Sequence, residues 1–454
     1  MQRKLLGRSA ALACGIVLGL GRRDARGATF CVDSASALRT ALLTGTTNGQ
    51  ENTIQIVQGT YLTAGTPFTY GNSGSGSLAL LGGYAAGCGS RVVNPTNTIL
   101  DAQFVNVVLF ISGATTANFQ VQGFTIRNGR ATGTTQGGGL HFNNIFAGAT
   151  GNLTVDHNIF FSNGAESFGG GMNGGTQWGV TVVRDNLFIG NWAGHAYASA
   201  ILTSNGTAHV LNNTFTGNTA PNTGGLRLYA SPAGTITNNI LYGNANGDLA
   251  LSSTDIVVRN NIIGSIVRNL APGPGSGSNL ASDPVFVGGG NYRLRVNSPA
   301  INMGLNSAPG GLSATDLDGN PRASGSTVDI GAYEYGFGGP CVTDSTSLCL
   351  NDGRFRVNAF WKTANASGTA IPVPVANDTG AFWFFSPQNL EIMVKVVNGC
   401  DFNNTYWVFG TGLTNVEVTV VVIDTKTGTL KTYVNPLNTP YAPLQDTSAF
   451  PSCP

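Results

Sequence analysis

Val155-Asp-His-Asn-Ile-Phe-Phe-Ser-Asn-Gly164 is followed in the chain by Val183-Arg-Asp-Asn-Leu-Phe-Ile-Gly-Asn191, Val210-Leu-Asn-Asn-Thr-Phe-Thr-Gly-Asn218, Ile236-Thr-Asn-Asn-Ile-Leu-Tyr-Gly-Asn244 and Val258-Arg-Asn-Asn-Ile-Ile-Gly264. The five copies align on Asn158, Asn186, Asn213, Asn239 and Asn261, with spacings of 28, 27, 26 and 22 residues. A period in the twenties with one strand-like motif per copy is the signature of a solenoid. Each copy is too short to bury its own apolar residues, and stacking coils at the ordinary strand spacing of about 4.8 Å buries them together. Val155, Val183, Val210, Ile236 and Val258 then form one column, and Phe160, Phe188, Phe215, Leu241 and Ile263 another. Stacked Asn amides can hydrogen-bond the copies above and below, so the invariant column is read as structural.

Working outward, the composition suits many short strands and tight turns. Of 454 residues 64 are Gly, and charged residues make up only 10%. Arg3, Lys4 and Arg8 precede an apolar run at residues 9–21, and Ala25-Arg-Gly27 is a small-x-small site, so residues 1–27 read as a signal peptide with the mature start near Ala28. An alternative reading places lipid attachment at Cys14, after Ala11-Leu-Ala13. No other stretch is apolar enough to span a membrane. Taking six basic residues and one acid from 23 and 22 leaves 17 basic and 21 acidic residues, a net charge of −4. Residues 28–336 contain 11 Arg and no Lys. A near-neutral, slightly acidic chain argues against nucleic acid as a partner, because phosphate binding needs a basic field.

Cys31, Cys88, Cys341, Cys349, Cys400 and Cys453 remain after the leader. An even number in an exported chain points to three disulfides. Two lie near the N-terminus and four in the last 114 residues, so Cys31–Cys88 is the natural local pair; the rest of the connectivity stays open. Nothing has the spacing of a zinc site.

Ser34-Ala-Ser-Ala-Leu-Arg-Thr-Ala-Leu-Leu43 is the one convincing helix, with Leu38, Ala41 and Leu42 on one face and Ser34 or Ser36 as N-cap. It suits the lid that the first coil of a solenoid needs. Short strands are expected at Thr53-Ile-Gln-Ile-Val57, Leu78-Ala-Leu-Leu81 and Thr98-Ile-Leu-Asp101.

Leu81-Gly-Gly-Tyr84, Cys88, Arg91, Asn97-Thr-Ile-Leu-Asp101 and Gly123-Phe-Thr-Ile-Arg-Asn-Gly129, with the turns Gly137-Gly-Gly-Leu140, Gly169-Gly-Gly-Met172 and Gly224-Gly-Leu226, resemble secreted bacterial right-handed parallel β-helix proteins of the pectin-lyase-like fold. Asp283-Pro-Val-Phe286, Tyr292-Arg-Leu294, Ser298-Pro-Ala-Ile-Asn-Met-Gly304, Thr315-Asp-Leu-Asp-Gly-Asn-Pro-Arg322 and Val328-Asp-Ile-Gly-Ala-Tyr-Glu334 resemble the closing segment of bacterial β-helix surface proteins of the choice-of-anchor type. After a linker at residues 336–340 the composition changes. Arg354-Phe-Arg-Val-Asn-Ala-Phe-Trp361, Glu391-Ile-Met-Val-Lys-Val-Val397 and Val416-Glu-Val-Thr-Val-Val-Val-Ile423 are separated by tight-turn signals and read as a small β-sandwich. Leu348-Cys-Leu-Asn-Asp-Gly-Arg-Phe-Arg-Val357, Phe382-Trp-Phe-Phe-Ser-Pro387 and Trp407-Val-Phe409 resemble a terminal module of exported bacterial proteins.

On this fold the resemblance implies that a polysaccharide lyase uses a calcium cage of carboxylates and a basic residue, often Arg. Asp156, Arg184, Leu211, Thr237 and Arg259 share a column, and His157 and Asp185 lie in the next. Asp156, Arg184, Asp185 and Arg259, with His157, are therefore the catalytic candidates. A glycosidase would want two carboxylates roughly 5–10 Å apart; Asp156 and Asp185 differ by one column, which argues against a shared pocket. The plainer expectation is a cross-coil ion pair, Asp156 with Arg184, on a solvated face. The chain lacks the Arg-x-Pro-x-x-Arg, Asn-Thr-Asp and Gly-His-Gly motifs associated with pectate lyases and polygalacturonases. Asp316-Leu-Asp-Gly-Asn320 resembles part of a calcium loop, making Asp316 and Asp318 the metal candidates, but it lacks the bidentate Glu. The plainer reading is a turn, with Arg322 pairing with Asp316 or Asp329. Phe382 to Phe385, Trp361 and Trp407 are expected in a core or domain contact rather than on a sugar platform.

The expectation is an all-β chain: a signal peptide at 1–27, a right-handed parallel β-helix with a capping helix at 28–336 and a β-sandwich at 337–454. It is expected to be secreted or on the cell surface, with a polysaccharide or surface component as partner and a role in binding, adhesion or structure. The alternative is a lyase or glycoside hydrolase working in a surface groove, with calcium as the one cofactor in view.

Overall fold

The computed structural model describes residues 27–72, 76–113, 116–143, 150–195, 200–203, 206–229, 233–267, 272–323, 327–335, 341 and 343–453. The leader through residue 26, Cys14 included, and the linker at 336–340 lie outside the described residues.

Three long parallel sheets wrap one core. Sheet A has nine strands, from Ala28–Val32 to Ile256–Arg259; sheet B has eight, from Gly59–Leu62 to Ile262–Ile263; sheet C has eight, from Phe68–Asn72 to Ile266–Val267. A short fourth sheet joins Arg130–Ala131, Gly164–Ala165 and Trp192–Ala193. Eight coils each contribute one strand to each long face, and Ala28–Val32 adds a ninth to sheet A, which makes this a parallel β-helix. The two apolar columns read from the repeat line its interior. Phe160, Phe188 and Phe215 stack face to face at 4.5 and 4.6 Å between centroids.

The N-terminal lid is the helix Ala35–Thr47, which runs one turn beyond the expected Leu43. Ser34 is its N-cap, accepting from the Ala37 N–H at 3.2 Å. Leu38, Ala41 and Leu42 are buried against the first coil. Arg39 ties the lid to the stack through the carbonyls of Thr63, Thr66 and Pro67. Cys31 and Cys88 form the expected disulfide.

Two five-stranded antiparallel sheets follow the coils. One contains Leu348–Leu350, Phe355–Lys362, Ser367–Thr369, Glu417–Asp424 and Leu430–Asn435; the other Ile371–Ala376, Thr379–Trp383, Ile392–Gly399, Thr405–Gly412 and Leu444–Phe450. Their facing residues make a separate core that includes Phe355, Val394, Val420 and Phe450. Cys341–Cys349 and Cys400–Cys453 are the remaining disulfides. Three disulfides suit an oxidising compartment. No helix among the described residues is long and apolar enough to cross a membrane.

Between coils and sandwich, the described residues of 281–323 and 327–335 run back along the outside of the stack as a strap. Its Leu294, Ala300 and Ile330 pack on Ile240 and Ile262; its Leu317, Ala332 and Tyr333 pack on Leu187. From Leu187 to Ile262 the outer face of sheet B is therefore buried as well as the inner one. This is why the repeat carries adjacent apolar residues such as Ile159-Phe160, Leu187-Phe188 and Ile262-Ile263, where a strand with one wet face would alternate.

Candidate functional site

Sheet A ends at a bend, and there the repeat motif does two jobs. The first belongs to the invariant Asn. Each amide oxygen accepts both the backbone N–H and the Nδ2–H of the Asn one coil earlier: Asn158 to Asn186, Asn186 to Asn213, Asn213 to Asn239 and Asn239 to Asn261, all at 2.8–3.1 Å. The remaining Nδ2–H meets backbone carbonyls, as in Asn213 to Val183 O and Leu211 O at 2.9 Å. Asn279 extends the ladder by one further rung, which a spacing of 18 residues hid from the repeat. A second ladder runs five residues downstream through Asn163, Asn191, Asn218 and Asn244, and ends on the carboxylate of Asp248. Its signal was present in the aligned copies, where Asn191, Asn218 and Asn244 recur at the same offset.

The second job belongs to the residue just before each ladder Asn. His157, Asp185, Asn212, Asn238 and Asn260 all adopt positive φ, between 52° and 59°. Asn and Asp tolerate this left-handed conformation best among residues with a Cβ. Ser162, Gly190, Gly217 and Gly243 do the same before the second ladder. Backbone geometry thus accounts for much of the composition of the column that holds His157 and Asp185.

That column is the docking seam for the strap. The His157 Nε2 lies 3.1 Å from both the carbonyl and the hydroxyl of Thr315. Asp185 accepts from the Ser313 hydroxyl at 2.5 Å and from Arg322. Asn212 donates to Asp329 O, Asn238 donates to Leu305 O and accepts from Leu305 N, and Asn260 donates to Met303 O. In the neighbouring column Arg184 donates to Gly311 O at 2.8 Å.

The expected Asp156–Arg184 pair exists at 3.4 Å, but the expected solvated face does not. Asp156 is 1% exposed, with the strap over its neighbours, and also accepts from Gln122 at 3.1 Å. Arg259 shares the column by register but lies three coils beyond Arg184, so the stack does not bring it to the cluster. Asp185, also 1% exposed, pairs with Arg322. The sequence paired Arg322 with Asp316 or Asp329. Its guanidinium instead bridges Asp185 and Glu334 and donates to the carbonyls of Gly331 and Ala332. Docking brings together residues 137 positions apart, and nothing in a repeat could signal that. Burial works against a charge on His157, but the Asp156 and Asp185 carboxylates outweigh it and raise its pKa.

Asp316 and Asp318 do not fit a calcium ion. Asp316 Oδ1 accepts the N–H groups of Asp318 and Asn320, and Oδ2 accepts the Glu334 N–H and the Asn320 amide. Asp318 is turned to Arg293, at 2.5 and 2.6 Å. This is a closed turn with its oxygens engaged. No group of three or more His, Cys, Asp or Glu side chains among the described residues is placed to hold a metal ion. In the sandwich, Phe382 and Phe384 are in the core and Trp361 packs edge-on against the exposed Phe385. Trp407 lies between Phe409 and Phe402, the latter 81% exposed, with rings tilted rather than coplanar.

Comparison with protein-family models, with curated proteins and with solved structures found no match to this chain.

Proposed function

We propose that this chain is an exported, cell-surface or extracellular β-helix protein of the choice-of-anchor kind, serving binding, adhesion or surface structure. Its partner is a polysaccharide or another surface component. The reading is carried by one observation: the titratable column of the repeat is spent on holding the strap. Asp156, His157 and Asp185 are buried and engaged with other residues of the chain, so a substrate would have to displace the strap to reach them. The basic and apolar order of residues 1–27 and the three disulfides support export.

Two measurements test the proposal. Full-length protein and a variant lacking residues 1–27 are expressed in the same cells, which are fractionated and treated with external protease. The full-length form is expected outside or protease-sensitive on intact cells, and the truncated form inside. Retention of both in the cytoplasm would defeat export. The purified protein is then incubated, with calcium, against polyuronates and neutral glycans. Retention on an insoluble glycan without new reducing ends or unsaturated products is the expected result. Steady release of such products would instead favour a lyase or glycoside hydrolase.

A further inference from the structure

The seam holds an uneven set of charges. Arg322, the largest fully buried side chain among the described residues, meets Asp185 from the coils and Glu334 from the strap. Asp316 and Asp329 stand close enough to feel its charge. Asp329 accepts the N–H groups of Asn302 and Tyr335, and its own N–H donates to Glu334 at 3.0 Å. The other charged or titratable groups around the cluster are His157, Asp156 and Arg184 on the coils, Asp318, Arg293, Tyr333 and Tyr335 on the strap, and Arg356 beside Tyr335 from the sandwich. All four carboxylates about Arg322 are nearly free of solvent contact. One guanidinium stands among four carboxylates in a dry place, and such crowding favours the protonated forms of Glu334, Asp329 and Asp316. The coils are joined differently, by ladders of Asn amides, which do not titrate.

We propose that the strap is a proton-linked latch, held shut by protonated acids in the seam and released from an intact coil stack as rising pH ionises them. Burial first, and then the neighbouring Asp329, pushes Glu334 up to about 8; burial pushes Asp329 up to about 6. Both folded values lie above the roughly 4 of an unfolded chain. Folding therefore favours the protonated forms. Their stabilisation is complete below about pH 4 and is lost as pH rises through about 6 and then about 8. Release would uncover the outer apolar side of sheet B at Ile159, Leu187, Ile240 and Ile262, now covered by the strap.

The test is hydrogen–deuterium exchange of the whole chain from about pH 5 to about pH 10, corrected for intrinsic exchange, with binding of an apolar fluorescent dye followed in parallel. Peptides from residues 300–335 are expected to lose protection around pH 8 as the dye binds, while peptides carrying Asn186, Asn213 and Asn239 stay protected. Glu334→Gln keeps an acceptor for Arg322 and for the Asp329 N–H. It is expected to move release upward by about one pH unit or more. Should that variant not fold, Asp329→Asn, which removes the neighbour that raises Glu334, is expected to move release in the same direction. A strap still protected at the top of the range would overturn the proposal. So would simultaneous loss of protection in strap and coils, or a release pH unchanged in the folded variant.

Discussion

Asn213 and Arg322 are both polar, both buried, and both at the same bend of the coil stack. Around Asn213 every donor and acceptor has a partner of matching polarity, and each rung repeats the one before. Around Arg322 the partners arrive from different parts of the chain, the charges do not cancel, and its Nε has no partner among the described residues. Neutral amides lose little on burial once their hydrogen bonds are made, whereas buried charges must recover a large desolvation cost through favourable geometry. The ladder is thus suited to permanence, and the seam to an attachment that conditions can alter.

The largest expected effect falls on the ladder. Asn213→Ala would leave the Asn186 N–H and Nδ2–H without their acceptor and remove the donors to Val183 O and Leu211 O. At ~1–3 kcal/mol for each unsatisfied buried group, a loss of ~4 kcal/mol or more is expected in denaturant unfolding of the coils. A loss under ~1 kcal/mol would mean that the stack does not depend on its amides. Arg322→Met comes next. It strands the Asp185 carboxylate and leaves Glu334 without its guanidinium donor, and removing one partner of a buried pair costs ~3–5 kcal/mol. The loss should appear as proteolysis within the strap with the coils still resistant; cleavage throughout would erase the distinction between the two regions. Asn212→Ala touches both the left-handed turn and the strap contact, placing Ala at a φ of 52° and deleting the bond to Asp329 O. A loss of about 1–2 kcal/mol in thermal unfolding is expected. The smallest effect is expected from calcium: neither excess ion nor chelator should move the melting temperature, because the Asp316 oxygens are already engaged within the chain. A shift of several degrees would return Asp316 and Asp318 to consideration.

What could be read in advance follows the same division. The coils repeat, so five aligned copies were enough to place the interior columns and the first ladder. The second ladder was equally visible in the copies but was not separated from the glycines beside it. The strap occurs once. Its presence was legible as a distinct closing segment, but where it lay was not. The clue lay in sheet B, where Ile159-Phe160 and Leu187-Phe188 spend two apolar residues on a strand that needs only one for the core. Asp156, His157 and Asp185 stand out, with Arg184 and Arg259, among the few charged or titratable groups of the repeat. That oddity was real, and it marks where the strap docks.

The ladders also have a direction. Every amide-to-amide bond donates toward the later coil, from Asn158 through Asn261 in one row and from Asn163 through Asn244 in the other. Dipoles aligned head to tail add along a row and polarise one another, as peptide dipoles do along a helix. The two chains of amide-to-amide bonds are therefore polar along the long axis, with their N–H ends toward the later coils. There the second row stops at Asp248, whose Oδ1 accepts both the backbone N–H and the side-chain amide of Asn244. A negative charge sits where the row is most positive, as an acidic residue does at the N-terminus of a helix.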